Sequence, residues 1–362
     1  MNFKKEGRLL LDIQKTLELI TPIAGVSGNE MKVSGYIKDL FSKTCNTVKE
    51  DALGNIIAIK EGSGNKKARR KIMLAAHMDE IGLMVKKIDK KGFVFFTNVG
   101  GMDYRTLLSQ EVTIHGKKDI FGVIGAKPPH LQKQNEKNKS IKMDELYIDV
   151  GLSKEELEKW IDIGDFITIN RDLTSLQGEY ITGKALDDRG GIAALLECMK
   201  ELEHINHQLD VYFVATVQEE VGLRGAITST YGIMPDLGIA IDVGHGRTPG
   251  VPKEDTIELD KGPAIGLGPN IHPKINKKLI EIAKKFNIPY QPEVIPGRSG
   301  TDAWAMQVTQ SGVPTGLLSI PLRYMHTSVE VASKKDIELT GRMLSLFIAS
   351  LNDINWEEWL CY

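Results

Sequence analysis

The sequence predicts an α/β protein: a mostly parallel sheet with helices on both faces, interrupted by a small inserted β-barrel or sandwich domain. Three observations predict it. Strand-like runs alternate with helix-like ones on either side of a central stretch. The run "KIMLAA" from 71 is apolar throughout, as a strand covered on both faces must be. Between about Ile81 and Asn170 the texture changes to many short strand-like runs divided by Gly turns. These shifts divide the chain into an α/β domain over residues 1–79 and 177–362 and an inserted β domain over 80–176.

In order along the chain, "SGNE" at 27–30 pairs Ser27 with Glu30 three residues on, a capping box opening a helix to about Lys43. Strands follow at "GNIIAIK" from 54 and at "KIMLAA". The charge-rich "KEGSGNKKARRK" (60–71) between them reads as a solvated hairpin loop. The inserted domain takes "LMVKKI", "GFVFFTNV", "EVTIH", "DIFGVIGA", "LYIDV" and "DFITI" as strands. Its short helix, "SKEELEKWI" from 153, has its own capping box (Ser153, Glu156), and its polar stretch 127–140 reads as a mobile loop. After about Gly178 come a helix from 190 and the strands "VYFVATV" (211–217) and "LGIAI" (237–241). The helices "INKKLIEIAKKFN" and 301–309, the strand "TGLLSI" (315–320) and a Ser333-capped helix to about Leu351 complete the chain.

Charge excludes some partners. With 46 basic and 48 acidic residues the net charge is −2, which fits neither a nucleic-acid nor an anionic-membrane binder. The start "MNFKKEGRLLLDIQK" lacks a signal-peptide core, because Asp12 and Gln14 interrupt it, and no stretch is apolar enough to span a bilayer. Cys45, Cys198 and Cys361 are odd in number and lack CxxC spacing. That points to a reducing cytoplasm and away from a disulfide framework or thiolate metal site.

Open α/β sheets bind ligands beyond the carboxyl ends of their strands. There the sequence puts His77-Met78-Asp79-Glu80, Gln218-Glu219-Glu220, Asp242 and the "PLRYMH" run ending at His326. Asp187-Asp188 precedes its helix at the same edge. Taken singly, each has an ordinary reading: a satisfied strand-end histidine, a turn residue, a solvated acidic loop or a doubled N-cap. Together they crowd carboxylates in a way that is costly unless cations neutralise them. Imidazole with carboxylate is ligand chemistry for Zn²⁺ and similar ions, and the set exceeds what one zinc needs, which points to two ions. His245, close after Asp242, is a competing ligand, whereas His115, His130, His204, His207 and His272 fit less well.

"HMDE", "LDDRGG", "QEEVGLRGA", Asp242, "GRSGTD" and "RYMHT", in this order, resemble the tetrahedral aminopeptidase family of dinuclear metallopeptidases. That family includes glutamyl and deblocking aminopeptidases and proteins labelled endoglucanase. The resemblance covers nearly the whole chain. It implies a zinc-exopeptidase-like catalytic domain, two divalent ions per subunit (zinc, with cobalt or manganese as substitutes), and peptide substrates with free N-termini. It also implies a homododecamer built from dimers through the β domain. Carried over by motif, His77, Glu220, Asp242 and His326 are metal ligands, Asp187 bridges the metals, Glu219 is the catalytic base and Asp79 steers His77. A cis peptide at Asp187–Asp188 is expected from the related fold.

The physical reading agrees. A water shared by two cations becomes hydroxide near neutral pH, and Glu219 can take its proton and later hand one to the leaving amine. Adjacent strand-end residues point opposite ways, so Glu220 can bind metal while Glu219 faces substrate. Asp79 is placed to hydrogen-bond His77. Two rival readings are a glycoside hydrolase, which has no use for His77 and His326, and a non-catalytic oligomeric shell, which has no use for an intact Glu219.

Overall fold

The computed structural model describes residues 12–45, 47–66, 68–131 and 141–360. Helices α1 (Ile13–Ile20) and α2 (Met31–Phe41) lead into β1 (Thr47–Glu50), β2 (Ile56–Lys60) and β3 (Lys71–His77). A run of six strands follows. Its strands β4 (Gly82–Ile88), β5 (Val94–Val99), β6 (Glu111–His115), β7 (Asp119–Ala126), β8 (Leu146–Asp149) and β9 (Phe166–Ile169) close into a barrel in the order β4-β5-β8-β7-β6-β9. A closed barrel has no free edge, which settles barrel against sandwich. Its one-turn helix α3 (Lys154–Leu157) carries the Ser153/Glu156 capping box. Of the polar stretch 127–140, residues 132–140 lie outside the described residues, as do Cys361 and most of the opening "MNFKKEGRLLLDIQK".

The chain returns through β10 (Thr174–Ser175) and β11 (Tyr180–Gly183) to α4 (Leu186–Glu201), β12 (Asp210–Thr216), α5 (Arg224–Ile233) and β13 (Leu237–His245). Then come β14 (Ala264–Leu267), α6 (Pro273–Lys285), β15 (Gln291–Val294), α7 (Asp302–Gln307), β16 (Thr315–Arg323), β17 (Glu330–Ser333), α8 (Lys334–Ser350) and α9 (Trp356–Leu360). One 11-stranded sheet runs β1-β2-β12-β3-β13-β16-β17-β11-β10, with β14 bridging β16 to β15. Its centre, β12-β3-β13-β16, is parallel, whereas β1, β2, β17, β11 and β10 pair antiparallel at the flanks. The expected mostly parallel sheet is therefore a mixed one with a parallel heart.

Period-2 alternation divides the core between the two faces of that heart. Ile72, Leu74 and Ala76 of β3 pack on the side of α4 and α8, while Met73 and Ala75 pack on the side of α5 and α7. Both sets are buried, which is why "KIMLAA" shows no polar position. The barrel has its own core, built from Leu83, Phe96, Val112, Ile114, Ile148 and Ile167 with Leu157 below. No helix among the described residues is long and apolar enough to cross a membrane.

Three local expectations change. The segment 60–71 is not a hairpin, because β12 lies between β2 and β3. Arg69 in this segment pairs with Asp210 at 2.9 Å at the start of β12. Ser27 does not cap α2: Glu30 is itself the N-cap, its carboxylate accepts the N–H of Gly28, and the Ser27 hydroxyl goes to Asp79. Ser333 precedes α8 without a side-chain cap, its hydroxyl donating instead to Asp260.

Candidate metal centre

The face of the sheet that carries α5 and α7 also carries the site. Following Met73 and Ala75, the next residue of that parity in β3 is His77. Following Ala240 in β13 it is Asp242, and following Leu317 in β16 it is Ser319. The strand periodicity that builds a core thus delivers polar groups to one crevice as the strands run past the helices. Asp242 is not at the end of its strand, since β13 continues to His245. Glu219 and Glu220 lie in a turn beyond β12, with Gln218 and Gly222 both at positive φ. The turn, not strand alternation, separates their side chains.

Two overlapping donor groups result, His77 with Asp187 and Asp242, and Asp187 with Glu220 and His326. Asp187 belongs to both. Its Oδ1 lies 3.0 Å from Nε2 of His77 and its Oδ2 lies 3.3 Å from Nε2 of His326. Glu220 meets the same His326 nitrogen at 3.2 Å, and Asp242 lies 4.0 Å from Nε2 of His77. All six predicted acids and histidines other than Asp79 line one cavity of about 590 Å³, and Glu219 is among them. His245 lines it too, outside both donor groups.

The doubled aspartate divides its work. The Asp187–Asp188 peptide is cis. Asp188 turns away and accepts the N–H of Gly191 at 3.0 Å, while Asp187 faces the histidines. Gly191 has to be small, because a Cβ there would collide with the Asp188 carboxylate.

Asp79 behaves differently from the expectation. The Nδ1 of His77 meets the backbone carbonyl of Asp79 at 3.1 Å, whereas the carboxylate is 3.7 Å away, beyond hydrogen-bond range. That carboxylate is committed elsewhere, accepting from the Ser27 hydroxyl and from the N–H groups of Glu219 (3.0 Å) and Glu220 (3.2 Å).

Sequence reasoning missed Glu330. Buried in β17, it accepts the N–H of Leu186 (2.8 Å), of Asp187 (3.2 Å) and of His326 (3.0 Å), tying two donor-bearing segments together. A lone glutamate four residues past a histidine carries no motif signal, and only the topology brings it back beneath Asp187. A neighbouring network is also buried. Glu80 pairs with Lys184 at 2.6 Å and with Arg189 at 3.4 Å, and Arg189 donates to the carbonyls of Ile20, Thr21 and Ile23.

Electrostatics express the crowding. Burial, then the charge of Asp187 among its neighbours, pushes Asp242 well above the usual carboxylate range. Burial also pushes Glu219 up to about 11 and raises Glu220. Burial opposes charge on the histidines, but hydrogen bonds to Asp187 and Glu220 outweigh it at His326, lifting it to about 10. Buried carboxylates that outnumber their cationic partners are what divalent ions neutralise, and imidazole plus carboxylate suits zinc-like ions. The residues present fit such ions.

Fold and donor set together define the class, a mixed α/β protein whose sheet-edge donors suit divalent cations. The chain belongs to the M42 glutamyl aminopeptidase family, whose model matches residues 54–343. It is 39% identical to the lysyl aminopeptidase of Pyrococcus furiosus over 337 residues, 92% of this chain and 95% of that one. Among solved structures it resembles an aminopeptidase of the archaeon Desulfurococcus kamchatkensis, at 39% identity and TM-score 0.88 over 96% of both chains. It also resembles the TET1 peptidase of Pyrococcus horikoshii, at 34% identity and TM-score 0.81 over 93% of this chain and 99% of that one. That peptidase is described as assembling into a tetrahedron or a large octahedral shell. This chain is accordingly an enzyme, an aminopeptidase that hydrolyses peptide bonds.

Proposed function

We propose that the chain is a two-metal aminopeptidase that removes residues from peptides with free N-termini. One observation carries the reading: the two oxygens of Asp187 face two different imidazoles, so two donor groups share one carboxylate. His77, Asp187 and Asp242 would hold one ion, and Asp187, Glu220 and His326 the other. When bound, the ions would polarise the scissile carbonyl and make a nearby water acidic. Glu219 takes a proton from the attacking water and gives it to the departing amine. Its raised proton affinity suits a group that must hold that proton between the two events. Asp79 fixes the turn that presents Glu219 and Glu220, and its backbone carbonyl orients His77. A glycosidase pair would leave both histidines without work.

The metal is zinc, cobalt or manganese, and the compartment is the cytoplasm, a reading supported by the free, buried thiols of Cys45 and Cys198. The assembly is a homododecamer of dimers, with the inserted domain (80–176) as a contact. Support comes from the related peptidase shell and from apolar side chains on the outside of the barrel, Phe121, Val123 and Ile163 among them.

Elemental analysis with metal titration tests the core of the reading. Activity should saturate at two ions per chain and vanish with a chelator. Saturation at one ion, or survival in chelator, would refute it. Light scattering should find a dodecamer, and a fully active monomer would exclude it.

A further inference from the structure

The crevice holds one acid that the two donor groups and Glu219 leave over. Glu293 lies on β15, where residues alternate, with Gln291 and Glu293 turned inward and Pro292 and Val294 outward. Its carboxylate reaches across β14 and accepts the hydroxyl of Ser319. Ser319 sits directly opposite Asp242 on the neighbouring strand, about 4.8 Å away by strand spacing. Gly244, on the same face two residues past Asp242, makes room. A Cβ there would stand 2.9 Å from Oε1 of Glu293 and 3.2 Å from Cβ of Ser319.

Glu293 thus lies beside the donor groups and faces the same cavity. It also lines a second cavity, of about 790 Å³, which shares His245, Glu293 and Ile295 with the first. Among the described residues Glu293 makes no ion pair, and burial without one pushes its carboxyl above the usual range. Arg298 lines the crevice as well, but its guanidinium lies over the Trp304 ring at 5.2 Å. A carboxylate that is half-buried, held in place by a hydroxyl and unpaired, waits for a cation from outside.

We propose that Glu293 forms the floor of the pocket for the substrate's first side chain and selects lysine or arginine there. The proposal rests on the aminopeptidase reading and adds to it that the substrate's amino end lies beside Asp242, Glu219 and Glu220. Gly244 is about 6.6 Å along the strand from Asp242. The four-carbon stem of a lysine spans such a gap, bringing its ammonium to Glu293 while its backbone stays at the donor groups. Ile295 and Leu317, which line the same cavity, offer apolar surface to the stem. An acidic first residue would meet Glu293 as a like charge.

The test is a kcat/KM panel on the metal-loaded, full-length protein with lysyl-, arginyl-, leucyl- and glutamyl-4-nitroanilides. Lysyl and arginyl substrates should lead. Glu293→Gln, which keeps the shape and the Ser319 partner, should lower the lysyl-to-leucyl ratio about 10- to 100-fold. Ser319→Ala should lower the ratio in the same direction, and it serves if the first variant does not fold. Free lysine should raise the melting temperature of the parent more than norleucine does, and this difference should disappear in Glu293→Gln. A parent that prefers glutamyl or leucyl substrates, or a ratio unmoved in Glu293→Gln, overturns the proposal while leaving the aminopeptidase reading intact. If none of the four substrates is cleaved, that reading fails, and the lysine–norleucine difference still decides for or against Glu293.

Discussion

The carboxylate of Asp79 takes the N–H of Glu219 at 3.0 Å, and its second oxygen takes that of Glu220. One side chain at the end of β3 thereby sets the turn after β12. Asp79→Asn replaces one acceptor oxygen by a donor that faces an N–H. Metal affinity should fall about 10- to 100-fold, the usual effect of losing an outer partner of a ligand. Titration of the metal-free protein measures it. Affinity equal to the parent's would show that the turn holds without Asp79.

The two glutamates of that turn should separate by function. Glu219→Gln keeps metal and loses turnover by about 10²–10⁴-fold, the range of a general base. Glu220→Gln loses metal affinity first, and excess metal restores part of its activity. Elemental analysis beside kcat reads both. Near-normal turnover in metal-loaded Glu219→Gln would remove Glu219 from its role.

Glu330→Ala leaves the N–H groups of Leu186, Asp187 and His326 buried without their acceptor. Each such group costs about 1–3 kcal/mol, so a loss of at least about 3 kcal/mol is expected in urea unfolding of the metal-free protein. Glu330→Gln, which keeps one acceptor oxygen, should fall between parent and alanine variant.

Asp336 provides a pH test remote from the site. It is buried, accepts the N–H groups of Asp260 and Gly262, and has its pKa pushed up to about 6, chiefly by burial. A carboxyl that holds its proton more tightly folded than unfolded stabilises the fold at low pH. That contribution is lost as pH rises from about 4 through 6. The span of about two units corresponds to about 3 kcal/mol. The stability difference between the parent and Asp336→Asn should therefore shift in the variant's favour across this window. Urea unfolding at pH 4 and pH 7 measures it, and a constant difference would contradict the shift.

Where a signal was local, the sequence carried it. The six barrel strands, the central parallel strands, the Ser153 capping box and the donors His77, Asp187, Glu220, Asp242 and His326 all follow from short-range pattern or motif. What escaped depended on distant partners. Ser27 and Ser333 sit where caps belong, but Asp79 and Asp260 claim their hydroxyls. The hairpin reading of 60–71 failed because β12, far along the chain, slots between β2 and β3. Glu330 and Glu293 gave no signal at all, since each acquires meaning only when a neighbouring strand brings it to Asp187 or Ser319.

The barrel also bears on how the molecule is assembled in time. His77 and Asp187 are 110 positions apart, and the whole barrel lies between them. Its first and last strands are neighbours, with Leu83 opposite Ile167, so the long excursion enters and leaves the barrel at adjacent points, although it rejoins the sheet at β11 and β10, with β13, β16 and β17 between β11 and β3. Once folded, it acts on the rest of the chain as a short fixed tether rather than as slack. Loop-closure entropy grows only slowly with length, and a prefolded insert removes most of even that. His77 leaves the ribosome long before His326, and its partners must wait for β13 and β16. The barrel can mature during that wait, before the two donor groups have all their members.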